Sequence, residues 1–216
     1  MRPIQQNLSF YAADPNGIST AQTPAQNADL TLNGALVSGG VATLLTPGPV
    51  TLTSSDDFSA VTFTIIGTSS TGAALSEAIA GPNNNTVTTT NSFATVTEIQ
   101  TDAPAGLTTE TVEAGNAAVG LGATGWWPLD IYTPNQVTTI SANILSGSAT
   151  YSVEYTNEDP FDTSITQLVV AHPVAALTGA STDQTAFTTT LMRAVRFNVA
   201  SGTGVIRATV VQQSTA

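Results

Sequence analysis

Apolar and polar residues alternate with a period of two along much of the chain. In Val61-Thr62-Phe63-Thr64-Ile65-Ile66 and in Tyr151-Ser152-Val153-Glu154-Tyr155-Thr156 large apolar side chains take turns with hydroxyl or charged ones, and Leu75, Glu77 and Ile79 fall on one face. Successive side chains of a strand point to opposite sides of a sheet, so this pattern predicts half-buried strands. It places them at 49–53, 61–66, 74–79, 86–90, 93–99 and 107–113 in the first half of the chain. In the second half it places them at 127–132, 137–145, 149–156, 167–172, 194–200 and 205–211. Turn signals such as Thr68-Ser69-Ser70-Thr71-Gly72 and Gly81-Pro82-Asn83-Asn84-Asn85 separate the runs. No segment has a helical period. Short strands punctuated by turns about every 8–12 residues predict antiparallel sandwiches or barrels.

Two stretches break the pattern. Residues 1–28 are polar, with Pro3, Pro15, Gly17 and Pro24, and Asp14-Pro15-Asn16-Gly17 has the composition of a turn. The same stretch carries Ile4, Leu8, Phe10 and Tyr11, which a merely solvated tail has no use for. It therefore reads as an extended arm whose apolar group docks on a neighbouring subunit, with a free tail as the competing reading. Residues 115–125 are small, Gly-rich and uncharged, as a linker would be. The expected architecture is all-β: an arm at 1–28, a β-sandwich at 29–114, a linker at 115–125 and a second sandwich at 126–216, jelly-roll or immunoglobulin-like, in tandem.

Composition narrows the chemistry. The chain has no Cys and no Lys, one His (His172) and four Arg (Arg2, Arg193, Arg196 and Arg207). Acid–base, nucleophilic and Schiff-base catalysis draw chiefly on His, Cys and Lys, so carboxylates and hydroxyls are what remain. Without Cys, both disulfides and cysteine–histidine zinc sites are excluded. Fifteen carboxylates leave a net charge of −11, which argues against contact with nucleic acid, since phosphate binding needs clustered Lys and Arg. Charged residues are only 9% of the chain, well below the usual quarter. Thr, Ser, Asn, Gln and Gly take their place, a surface that packs against other subunits without desolvating many charges. The N-terminus runs from Met1-Arg2 into polar sequence, and no stretch is long and apolar enough to cross a membrane. The expectation is synthesis in a cytosol, without membrane contact.

Several stretches resemble a family of small structural proteins of tailed bacteriophages. One is Val61-Thr62-Phe63-Thr64-Ile65-Ile66-Gly67-Thr68, followed by Leu75-Ser76-Glu77-Ala78-Ile79-Ala80-Gly81-Pro82-Asn83 and Phe93-Ala94-Thr95-Val96-Thr97-Glu98-Ile99. A strand ending in Gly-Thr, a Ser-Glu segment leading to Gly-Pro-Asn, and a Phe-x-x-Val strand succeed one another in that family. A second is Tyr151-Ser152-Val153-Glu154-Tyr155 through Pro160-Phe161, then Met192-Arg193-Ala194-Val195-Arg196-Phe197 and Gly204-Val205-Ile206-Arg207-Ala208 to Gln212. The likeness covers most of residues 50–212. It implies a structural role in the virion and no catalytic residue, and it does not decide between head and tail. No cofactor and no metal site is expected, and other virion proteins are the expected partners.

Trp126 and Trp127 are adjacent, so at most one can face a given core; the other covers a subunit contact or packs on the linker. Together with Ile4, Leu8, Phe10 and Tyr11 they are the candidate interaction residues. The acidic run Asn157-Glu158-Asp159-Pro160-Phe161-Asp162 lacks the Gly-centred spacing of a Ca²⁺ loop and reads as a solvated turn, as does Asp56-Asp57. His172, before Pro173, is expected to satisfy a local hydrogen bond at a strand end. The expected function is non-enzymatic: a head decoration (cement) protein bridging units of the major capsid protein. Alternatives are a collar, tail or fibre-adaptor component contacting neighbouring tail subunits, and a carbohydrate-binding receptor module. A homo-oligomer is expected.

Overall fold

The computed structural model describes residues 3–132, 136–162 and 169–214. The strands of the first half are β1 (Ile4–Phe10), β2 (Asp14–Gln22), β3 (Val37–Ser38), β4 (Val41–Gly48), β5 (Val50–Asp57), β6 (Thr62–Thr68), β7 (Ala74–Ala80), β8 (Asn83–Thr88), β9 (Phe93–Thr101) and β10 (Val112–Asn116). Those of the second are β11 (Gly122–Ala123), β12 (Trp127–Pro128), β13 (Gln136–Thr156), β14 (His172–Pro173), β15 (Gln184–Thr188) and β16 (Ala194–Ser214). The helical content of the described residues is one 3₁₀ turn, Ala175–Leu177. Among the described residues all strand pairing is antiparallel. The protein is all-β, as the alternation predicts.

The chain divides into two units, and the division is nested rather than tandem. Unit 1 comprises Met1–Ala12 with Gly120–Ala216, and unit 2 is the continuous segment Ala13–Val119. The crossing back into unit 1 falls inside the expected linker 115–125, but Gly115 and Asn116 belong to β10, and Gly122 and Ala123 to β11.

Unit 2 has a four-stranded sheet ordered β2-β10-β5-β8 and a five-stranded sheet ordered β3-β4-β9-β6-β7. Both contribute to one core: Ile18, Val50, Leu52, Val112 and Ala114 from the first, and Leu44, Phe63, Ile65, Phe93, Val96 and Ile99 from the second. Phe58 meets Phe63 edge to face at 6.1 Å. The turn-like Asp14-Pro15-Asn16-Gly17 lies within β2. Val112 faces Gln22, Ala114 faces Ser19 and Asn116 faces Asp14, so β2 carries extra residues against β10. A bulge absorbs the turn-prone residues without ending the strand.

Unit 1 is built on a ribbon of two 21-residue strands, β13 and β16, paired from Gln136↔Ser214 to Thr156↔Ala194. At about 3.3 Å per residue a straight strand of that length spans about 70 Å, twice the breadth of a domain of about 100 residues. The ribbon folds back on itself. Neighbouring residues at one place reach both of its ends, Leu129 N–H bonding to the Arg193 carbonyl and Asp130 N–H to the Gln212 side chain. At the bend Gly147 pairs with Gly204, flanked by register shifts between Ile144 and Ser146 and between Thr150 and Tyr151. Both glycines have positive φ, +73° and +151°, a region that glycine enters freely. A Cβ on Gly147 would sit 1.9 Å from the Thr203 carbonyl oxygen and one on Gly204 2.0 Å from that of Ser146. The bend lets both halves of each strand line one core, Ile140, Tyr151 and Val153 of β13 meeting Val195, Phe197, Ile206 and Val210 of β16. The expected short strands 137–145 and 149–156 are thus one strand turning a corner, as are 194–200 and 205–211.

The N-terminal residues form no arm. β1 pairs with β16 along its whole length, Ile4 opposite Val210 and Phe10 opposite Gly204. Leu8 and Phe10 are buried in the core of unit 1, with Ile4 packed against it. Positions 4, 8 and 10 keep period two on the core side, but Gln6 between them is polar and exposed, which hides the strand. Of the expected strand 107–113 only Val112 and Glu113 are in β10; of 167–172, residues 167 and 168 lie outside the described residues and only His172 is in a strand.

Candidate interaction surface

The carboxylates do structural work throughout. At least ten accept backbone N–H groups and so pin turns and strand ends: Asp14, Asp56, Asp57, Glu77, Asp102, Glu110, Asp130, Glu158, Asp159 and Asp183. Glu77 illustrates the device. It sits on the inner face of β7 and accepts Thr90 N–H at 2.7 Å and Asn91 N–H at 2.8 Å. Partial burial opposes its ionisation, but these N–H donors outweigh that and hold its pKa below the usual value. Backbone donation likewise lowers Glu110, and Ser59 lowers Asp57. Desolvation first, then the charge of Glu98, raise the pKa of Asp29.

Asp159, in the expected acidic turn, binds Arg193 at 2.8 Å as well as Phe161 N–H, and the hydrogen bond from Arg193 holds its carboxyl low. Among the described residues no group of three or more His, Asp or Glu is placed to hold a metal ion. His172 lies against Tyr155 at 5.3 Å between ring centroids, the rings tilted by 33°, at the strand end where the two residues pair. No helix of the described residues is long and apolar enough to cross a membrane.

The candidate interaction residues separate into two groups. Ile4, Leu8, Phe10 and Tyr11 belong to unit 1 itself. Leu8 and Phe10 are in its core, and Tyr11 is 3% exposed, with burial raising its pKa and its hydroxyl making no hydrogen bond. Trp127 stacks on Phe197 at 5.1 Å and packs against the core of unit 1. Trp126 takes the opposite side, where the Arg196 guanidinium lies 4.5 Å from its ring centre. Arg196 in turn binds Glu154, its cross-strand neighbour, at 2.7 Å. The alternation Arg196-Phe197 in β16 thus splits the two tryptophans between the two sides of the sheet. The cation occupies a face of Trp126 that a sugar would otherwise stack on.

The surface that periodicity did not point to is an apolar patch at the open end of the ribbon. Phe187 on β15 is 74% exposed, Leu191 66% and Tyr132 88%. Phe187, Thr188, Thr190 and Met192 line a depression of about 310 Å³ with Tyr155 and Pro173. Leu191 lies between Thr190 and Met192; Tyr132 is not among the residues that line the depression. None of the residues lining the depression is charged. In the sequence Phe187 sits in Thr185-Ala186-Phe187-Thr188, whose alternation is visible once β15 is known, but the pattern alone does not say which face meets water.

Charge is divided between the units. All four arginines and six of the fifteen carboxylates are in unit 1; the other nine carboxylates are in unit 2, which has no Arg, Lys or His. No family model, curated protein or solved structure matches this chain.

Proposed function

We propose that this protein is a non-enzymatic structural component of a tailed-bacteriophage particle, a decoration protein that bridges neighbouring subunits of the head from outside. Each unit is read as a β-sandwich, unit 2 from two sheets around one core and unit 1 from a ribbon folded over its own. The observation that carries the reading is the use made of the carboxylates. In a chain with no Cys, no Lys and one His, at least ten of the fifteen carboxylates accept backbone N–H groups at turns and strand ends. Such a molecule offers rigid surface and not reactive groups. Its surface is rich in hydroxyls and amides and poor in cations, and unit 2 in particular presents nine carboxylates to a basic partner surface. A protein that binds only the assembled lattice stabilises it by mass action, each copy adding to the total.

A reconstruction of the particle tests the reading. Hundreds of copies on the head, with loss of the protein lowering the temperature at which heads rupture, is the expected result. A dozen or fewer copies in a ring at the collar or tail would make it a tail component. Glycan binding by the purified protein, lost on changing Trp126, would make it a receptor module.

A further inference from the structure

The apolar end of unit 1 has the makings of a contact that the particle role does not require. Phe187 (74% exposed) and Leu191 (66%) are among the most exposed large apolar side chains of the described residues of unit 1. An aromatic side chain buries about 150–250 Å² when covered, so Phe187 with Leu191 near it leaves on the order of 300 Å² of apolar surface in water. The largest patch on a typical monomer measures about 300–600 Å² and is often functional. A standard interface takes roughly 800 Å² per partner, the remainder coming from a polar rim around such an apolar centre.

The chemistry of the patch selects its occupant. The charges at its border, Arg193 and Asp159, already neutralise each other at 2.8 Å, and the depression beside Phe187 is lined by Tyr155, Pro173 and Met192 without a charged group. An acidic or basic partner would therefore find nothing to pair with. The patch also holds a knob beside a hole, Phe187 and Leu191 standing next to the depression of about 310 Å³. A knob and hole side by side on one surface are what a two-fold contact between identical molecules needs, because each copy fills the other. Charge points the same way. Unit 1 sets four arginines against six carboxylates, whereas unit 2 has nine carboxylates and no cation, so like-charge repulsion opposes contact between copies through unit 2 far more than through unit 1.

We propose that two copies of this chain associate through the end of unit 1 around Phe187 and Leu191, the Phe187 ring of each copy entering the depression lined by Tyr155, Pro173 and Met192 of the other. The contact belongs to the free protein and precedes any binding to a particle, so it stands or falls apart from the decoration role.

Sedimentation equilibrium of the full chain across the micromolar range tests it. The expected species is a dimer of twice the 22.0 kDa chain mass, held at least as tightly in high salt as in low. Phe187→Asp and Leu191→Asp should each raise the dissociation constant at least tenfold while leaving the circular dichroism spectrum and the melting curve of the monomer unchanged. Phe187→Ser, a milder change, covers the case in which the aspartate disturbs folding. Leu45→Asp, at an equally exposed position of unit 2, should leave the dimer intact. A protein that stays monomeric throughout, a dimer indifferent to all three unit 1 changes, or a dimer dissolved by Leu45→Asp would each overturn the proposal.

Discussion

Replacing Phe10 by Ala decides between a docking arm and an integral strand at the N-terminus. Phe10 is 1% exposed, sits in the core of unit 1 with Leu8, Val199 and Ile206, and pairs with Gly204 at the bend of the ribbon. Removing a buried Phe side chain costs about 3–5 kcal/mol, the transfer free energy of the ring plus the cavity it leaves. Against a total domain stability of about 5–15 kcal/mol, that is a large fraction. An arm waiting for a neighbouring subunit would instead cost the free protein nothing when shortened. The assay is urea unfolding followed by tryptophan fluorescence, because Trp126 and Trp127 are the only tryptophans and both belong to unit 1. The midpoint should fall steeply with an unchanged slope, the sign of a stability change without a change in the surface exposed. Deleting residues 1–12 should go further and abolish the cooperative transition. A loss below about 1 kcal/mol for Phe10→Ala, or a truncated protein with the original midpoint, would refute the placement of β1 in the sheet and restore the arm.

Gly147→Ala should cost at least about 1–3 kcal/mol, because it forces a Cβ into positive φ and against the Thr203 carbonyl at 1.9 Å; the same fluorescence transition measures it, and an unchanged midpoint would mean that the ribbon is not bent there. Glu77 should titrate below its ordinary value of 4.5, visible as a pH-dependent movement of the Thr90 and Asn91 amide proton shifts that Glu77→Gln removes. Because its pKa is depressed in the folded state, its contribution to stability is present above pH 4.5 and is lost as pH falls through the folded-state pKa. Asp29, raised by desolvation and by Glu98, acts with the opposite sign, its pair becoming less repulsive as pH falls.

The strands of unit 2 are the most legible part of the molecule. Alternation marks Val61–Ile66, Ala74–Ile79 and Phe93–Ile99, which correspond to β6, β7 and β9. It does not mark β4 or β15, since Val41–Gly48 runs into Pro47-Gly48 and Gln184–Thr188 is short and mostly polar. Of the candidate site, the composition of the chain and the split of Trp126 and Trp127 were readable, because adjacent residues on a strand must diverge. The clasps made by Glu77, Asp56 and Asp183 were not, since each spans between 13 and 55 residues of sequence.

Sequence alone determined the all-β character, the choice of side chains available for chemistry and the imbalance of charge. Period-two alternation is a local property and survives whatever the strands pair with. Tertiary structure alone decided which sheet each strand joins. Ile4 meets Val210 across the whole length of the chain, and no local signal distinguishes an N-terminal strand that completes a distant sheet from a tail that reaches for a neighbour. The same holds at the bend, where Gly147 and Gly204 read as two ordinary turns until the pairing of β13 with β16 runs through them. Hydrogen-bond ladders and a shared core are made between residues far apart in sequence, and only their mutual burial turns two short strands into one that rounds a corner.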